Sequence, residues 1–279
     1  MPHSPLKGSP LARGPGDSLL WQLFSQSIGP PIFWLLGLMY AMGMFFGTIF
    51  SISTPVFGFP LWQLLSGIGS VVCAAGLALN WRKWMTRMDN IHKGRAGEQA
   101  AAAFLAELGK DGYIIAHDIP LKALDSSQPE GPNIDHLAIG PAGVFVIETK
   151  YVAKSRADGR ANEVTYDPSE NGGKGRLLFN GAKHDRCALE QVRRNAKVVD
   201  VFLRSKQLEH AVPVTPIVFV LGWMVKVPAS LDVRVLNPKL VFPLLRGMPR
   251  VMDARQVGRL YESVLPALTR ADTTAELFE

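Results

Sequence analysis

The chain has 279 residues, 47% of them hydrophobic and 19% charged, with a net charge of +6. That apolar content excludes a disordered or collagen-like chain, and the length allows one or two domains. Two cysteines, Cys73 and Cys187, are too few for a disulfide scaffold and read as reduced.

Residues 1–17 hold four prolines and three glycines and read as a disordered tail. Residues 18–81 then contain no Asp, Glu, Lys, Arg or His. Inside this run, 32–52 and 61–81 are each 21 residues long. A helix of that length spans about 30 Å, the thickness of a bilayer core. Residues 51–60 between them carry two prolines and a glycine and predict a tight turn, so the pair reads as a transmembrane hairpin. Trp21, Trp34, Trp62 and Trp81 stand where an aromatic belt would.

Lys7 and Arg13 precede the hairpin, Arg82, Lys83, Arg87, Lys93 and Arg95 follow it, and the turn has no charge. The positive-inside rule then expects a two-pass protein of the cell (inner) membrane with both termini cytoplasmic, and a lipid bilayer as partner. Gly43 and Gly47 have the small-xxx-small spacing that lets helices approach closely. Ser66, Gly69, Ser70 and Cys73 could meet them within the hairpin, or the motif could make a homo-oligomer. Leu20, Phe24 and Ile28 give segment 18–29 an apolar stripe suited to the interface.

Residues 82–93 read as a basic linker, and a mixed α/β pattern begins at residue 94. Ala101, Phe104, Leu105 and Leu108 predict an amphipathic helix over 94–110. Strands are expected at 113–117, 134–139 and 144–151, with Gly140 to Gly143 turning between the last two. Residues 152–181 are polar and glycine-rich and read as a long loop with a possible short strand at 176–179. A helix over 183–206, a buried strand at 212–221, a strand at 232–236 and a helix at 254–268 follow. Residues 94–221 form the expected core, and 222–279 complete it.

Chemistry is suggested by Asp135 and by Glu148-Thr149-Lys150. Alternation along a strand puts Glu148 and Lys150 on one side, and the turn midway between brings Asp135 near them. The preceding run, Val144 to Ile147, is apolar on both faces, so charges at its end are costly without partners or work. Two acids that repel one another suit a hard divalent cation, Mg²⁺ or Mn²⁺, which can activate water and stabilise a phosphoryl oxyanion. An edge ion pair between Glu148 and Lys150 is the plain alternative.

Four blocks, in order, resemble the nuclease-related domain (NERD) family, a branch of the PD-(D/E)xK nuclease superfamily. They are Gly94-Arg-Ala-Gly97-Glu98, Ile134-Asp135-His136, Gly143-Val-Phe-Val-Ile-Glu148-Thr-Lys150 and Gln191-Val-Arg-Arg-Asn195. The resemblance implies a restriction-endonuclease-like αβββαβ core. It implies Asp135, Glu148 and Glu98 as metal-binding acids and Lys150 as the catalytic lysine. Gln191, with Asn195 one turn on, is implied as a supporting or nucleic-acid-binding residue. Glu98 also suits the first turn of a helix, and Gln191 a solvated helix face. The loop after Lys150 departs from the family pattern; its Lys154, Arg156, Arg160, Lys174 and Arg176 could track phosphates. His136 is expected on the opposite strand face, in a structural role, with His117 and His184 isolated.

The resulting expectation is a membrane-anchored, metal-dependent nuclease hydrolysing phosphodiester bonds of nucleic acid, DNA rather than RNA. The alternative is a catalytically inactive nucleic-acid- or protein-binding module on the same tether. Residues 82–279 carry 28 basic and 23 acidic side chains, a surplus too small to demand a nucleic-acid partner.

Overall fold

The structure is a computed structural model and describes residues 29–50, 59–129, 132–152, 162–169, 175–181, 183–185, 187–206 and 211–269. The expectations for the tail, the interfacial segment up to residue 28 and the turn at 51–58 lie outside the described residues. The chain divides into two compact units, Ser18–Lys93 and Gly94–Glu279.

The first unit holds helix α1 (Gly29–Phe50) and the first part of helix α2 (Phe59–Leu105). Small residues line their seam. A Cβ at Gly37 would lie 3.3 Å from Cys73 Sγ, one at Gly69 3.8 Å from Ala41 Cβ, and one at Gly76 2.8 Å from the Trp34 ring. As the α1 position rises the α2 position falls, so the two run antiparallel. The seam therefore uses Gly37 and Ala41, not Gly43, where an added Cβ meets nothing within 4 Å. Trp34 is part of this seam rather than of a boundary belt; Trp21 and the Trp62 side chain lie outside the described residues. The outward faces are apolar, with Phe33, Tyr40, Val71 and Leu79 about two-thirds or more exposed.

Among the described residues, no helix is long and apolar enough to cross a membrane. The crossings expected at 32–52 and 61–81 are thus helical over their described residues, up to Phe50 in the first, but not supported as spans. The described side chains of α1 end at residue 43, and α2 runs on from its apolar part into the charges that start at Arg82. Residues 82–93, expected as a basic linker, are continuous helix, and the boundary between the two compact units falls at their end, between Lys93 and Gly94. Glycine 94 and glycine 97 each cost only about 1 kcal/mol in a helix interior, too little to break forty-seven residues of cooperative hydrogen bonding.

The second unit is a mixed α/β fold around a sheet. α2 ends at Leu105 and tightens into a 3-10 helix (Ala106–Asp111), stopped by Gly112 at φ 87°. Strands β1 (Ile114–Pro120), β2 (Asn133–Gly140) and β3 (Gly143–Lys150) follow, with a single helical turn, α3 (Leu121–Leu124), after β1. Next come β4 (Glu163–Asp167), β5 (Arg176–Phe179) and β6 (Lys183–Asp185), then α4 (Ala188–Ser205). The chain closes with β7 (Val214–Val220), β8 (Met224–Lys226), β9 (Arg234–Leu236), α5 (Pro238–Gly247) and α6 (Ala254–Thr269).

The main sheet has the order β1-β2-β3-β7-β9, antiparallel from β1 to β3 and parallel from there to β9. Both faces are covered. Leu137, Ile139, Val144, Val146, Val218 and Val220 pack with α4 and α6. Phe145, Ile147, Ile217 and Phe219 pack with Leu105, Leu108 and α5. Burial of each such side chain contributes about 1.5–3 kcal/mol, which is why β3 reads as a continuous apolar run.

Two expectations are corrected here. Within the loop expected over 152–181, the short strand expected at 176–179 is present as β5, but it pairs antiparallel with an unexpected strand, β4, and the two join β6 and β8 in a second sheet, β6-β5-β4-β8. Its Val164, Leu177 and Phe179 are buried, too few apolar positions to stand out in a polar stretch. The helix expected from 183 begins only at Ala188, because 183–185 pair with β5.

Candidate active site at the end of strand β3

Strands β2 and β3 pair from Gly140↔Gly143 to His136↔Ile147. One step further along that register, Asp135 stands across from Glu148. Asp135 continues the row of Leu137 and Ile139, and Glu148 and Lys150 continue that of Val144 and Val146, so all three belong to the α4 face. Asp135 keeps part of its surface open, while Glu148 is 3% exposed. The Lys150 ammonium lies 2.9 Å from Glu148 Oε1. The backbone N–H of Thr149 donates to Asp135 Oδ2 at 2.7 Å.

Burial pushes the Asp135 carboxyl well above the usual carboxylate range, and the charges of Glu148 and Glu98 push it further. The Thr149 N–H and the Lys150 charge only partly oppose this. Glu98 is therefore within electrostatic reach of the other two acids. Gly97 explains how: a Cβ there would come 2.5 Å from the Tyr151 Cβ, so only glycine lets the helix lie against the end of β3. The Gly97-Glu98 pair thus sets the approach and carries the acid.

The helix residues separate. Asn195 is 1% exposed and donates from Nδ2 to the Asn133 carbonyl at 3.3 Å. Asn133 in turn donates to Asp118 Oδ1 at 2.7 Å, beside the left-handed turn of Asp118 at φ 51°. Asn195 so braces the start of β2 and is too buried to touch a nucleic acid. Gln191 is half-buried in the first turn of α4, and no side-chain bond joins it to the acids. Among the basic residues of the departing loop, Arg176 pairs with Asp167 at 3.3 Å; Lys154, Arg156, Arg160 and Lys174 lie outside the described residues.

The histidines correct an expectation. His136 does face away from Asp135, but His117 is its cross-strand partner, not isolated. Their Nδ1 atoms are 2.7 Å apart, and His136 Nε2 lies 3.1 Å from Thr149 Oγ1. One imidazole donates and the other accepts. Burial, and then the neighbouring His117, depress His136 to about 3, and burial lowers His117 as well, so the pair is neutral near pH 7. The signal was present in sequence only as two histidines at strand positions whose register was unknown. The His184 side chain lies outside the described residues.

The donor set fits a hard divalent cation: two carboxylates across adjacent strands, held close despite repulsion, with a third acid in range. Among the described residues, no three acidic, histidine or cysteine side chains form a ready-made metal cluster. No curated protein and no solved structure matches the chain. Residues 93–221, which contain all the acids, Lys150 and the helix residues, match the model of the family described as NERD, the nuclease-related domain.

Proposed function

We propose that the protein is a metal-dependent nuclease that hydrolyses phosphodiester bonds of nucleic acid, DNA before RNA. The observation that carries this reading is the convergence of Asp135, Glu148 and Lys150 at one strand end, with Glu98 in range. Asp135, Glu148 and Glu98 would hold Mg²⁺ or Mn²⁺. When bound, the ion supplies an activated water and neutralises charge on the phosphoryl group. Lys150 keeps a fixed positive charge beside the reacting phosphate, where negative charge develops. The Thr149 N–H holds Asp135 in one orientation, and Gln191 faces the substrate from α4.

The test is cleavage of plasmid DNA, single-stranded DNA and RNA by the detergent-solubilised full chain with Mg²⁺, Mn²⁺ or EDTA. Cleavage that EDTA, Asp135→Ala and Lys150→Ala each abolish is the expected result. A folded chain that binds no metal and cuts none of these overturns it. The closed Glu148–Lys150 ion pair favours one second reading, a binding module without catalysis. That reading expects nucleic-acid or protein binding that survives EDTA.

We also infer that α1 and the start of α2 attach the protein to a lipid bilayer, with both termini and the nuclease-related domain cytoplasmic. The charge-free run of 18–81 and the exposed Phe33, Tyr40, Val71 and Leu79 support this. Such a face in water would be an aggregation liability. The protein should stay with membranes through a high-salt and alkaline wash and leave only with detergent; release by salt alone would count against the anchor.

A further inference from the structure

A cavity of about 410 Å³ lies at the other end of the β2–β3 hairpin. Its walls bring together Lys110 and Asp111 from the 3-10 helix, Tyr113, Ala142 of the hairpin turn, and Arg246 and Arg250 around the end of α5. Three cations from two segments of the chain thus meet one acid. That acid is committed, since Arg246 Nε donates to Asp111 Oδ2 at 3.0 Å. Lys110 and Arg250 have no acidic partner among the described residues. Two uncompensated positive charges around one concavity repel each other, and an anion between them relieves the repulsion.

The floor is fixed. The backbone N–H groups of Val251 and Met252 donate to the Pro141 carbonyl at 2.7 and 3.0 Å, which ties the Arg250 segment to the hairpin turn. The Tyr113 ring lies on Gly140 so closely that no Cβ could be added there. The Ala142 backbone N–H donates to its phenol oxygen, burial keeps the phenol protonated, and Tyr113 lines the same cavity as Arg250. Ala142 and Glu148 are six residue steps apart along the start of β3, about 20 Å at 3.3 Å per step. A phosphate here is therefore not the one being cleaved.

We propose that this cavity binds a small phosphorylated molecule of nucleotide size, its phosphate held by Lys110, Arg250 and the Tyr113 hydroxyl. The volume lies in the range of small-molecule sites. Phosphate oxygens are common to free nucleotides and to a nucleic-acid backbone. A polymer is tracked by a stripe of cations, whereas these converge on a concavity. The site does not depend on catalysis at Asp135.

The test is calorimetric titration of the detergent-solubilised full chain with adenosine monophosphate, inorganic phosphate and a short single-stranded oligonucleotide at low salt. Adenosine monophosphate should bind wild type and Asp135→Asn alike. It should bind the Lys110→Gln, Arg250→Gln double variant about tenfold or more weakly, through loss of charge-assisted hydrogen bonds. Both side chains are exposed, so the variant should keep its circular dichroism spectrum; the single Arg250→Gln variant repeats the test with one change. No binding to wild type, or equal binding to the variants, overturns the proposal. So does a result in which only the oligonucleotide is weakened, which would assign the cations to a polymer backbone.

Discussion

Asp135 and His136 are neighbours in sequence and respond to pH in opposite directions. The folded state raises Asp135, so it holds that proton more tightly than the unfolded chain. The stability this contributes is full below the ordinary carboxylate value, about 3.9, and is lost as pH rises through the folded value. Asp135→Asn should therefore melt at a higher temperature than wild type at pH 8, with the gap narrowing toward pH 4, while cleavage is lost. Equal melting at both pH values would mean that the acids do not strain the fold. His136 is depressed to about 3. Its contribution is full above about 6.5, erodes as pH falls, and is gone once pH has passed the folded value. Wild type should lose up to about 1.4 kcal/mol per pH unit in that window from this group, and His136→Gln should flatten the slope in urea melts at pH 4–7. Glu148 and Lys150 stood out in sequence because charges follow an apolar run, Asp135 because a turn lies midway between it and them, and Glu98 only through the family resemblance. The histidine pair was not, because two isolated letters become a pair only through the β1–β2 register.

At the scale of elements, period and breakers located most of the long pieces: both apolar helices, β2, β3, β7, α4 and α6. The errors fall where length is short or where no breaker acts. β4, β6 and β8 are three to five residues each and are held by pairings with β5 and with one another, which no local window contains. The helix α2 crosses a change of composition without a change of conformation, because composition alone does not end a helix. The seam between α1 and α2 gives a direct test. A cysteine at Gly37 would place its Cβ 3.3 Å from Cys73 Sγ, close to disulfide geometry. Gly37→Cys should therefore form an intramolecular disulfide with Cys73 on mild oxidation, seen as a faster-migrating monomer that reductant reverses. A dimer band instead would place the small residues between chains. Gly97→Ala tests the helix approach at the site. Its methyl meets Tyr151, so Glu98 should shift, and Mg²⁺ should stabilise the variant less than wild type in thermal melts. An unchanged metal response would show that Glu98 is not a ligand.

For the whole molecule, one stretch of chain, from β7 to β8, serves both sheets: β7 pairs with β3 in the large sheet and β8 with β4 in the small one. β3 waits about seventy residues for β7 and β4 about sixty for β8, so the small sheet is complete only once residue 226 is made, and the large one, which also needs β9, only once Leu236 is made. Until β7 is made, β3, with its buried apolar run Val144 to Ile147 and its Glu148 and Lys150, presents an unpaired edge. After detergent extraction, a chain stopped before Val214 should accordingly remain in the insoluble fraction, and one stopped after Thr269 should not. During synthesis the emerging polypeptide is thus at its most adhesive while residues 94–236 are still being translated, and its survival in that interval rests on the speed of elongation and on whatever shields β3.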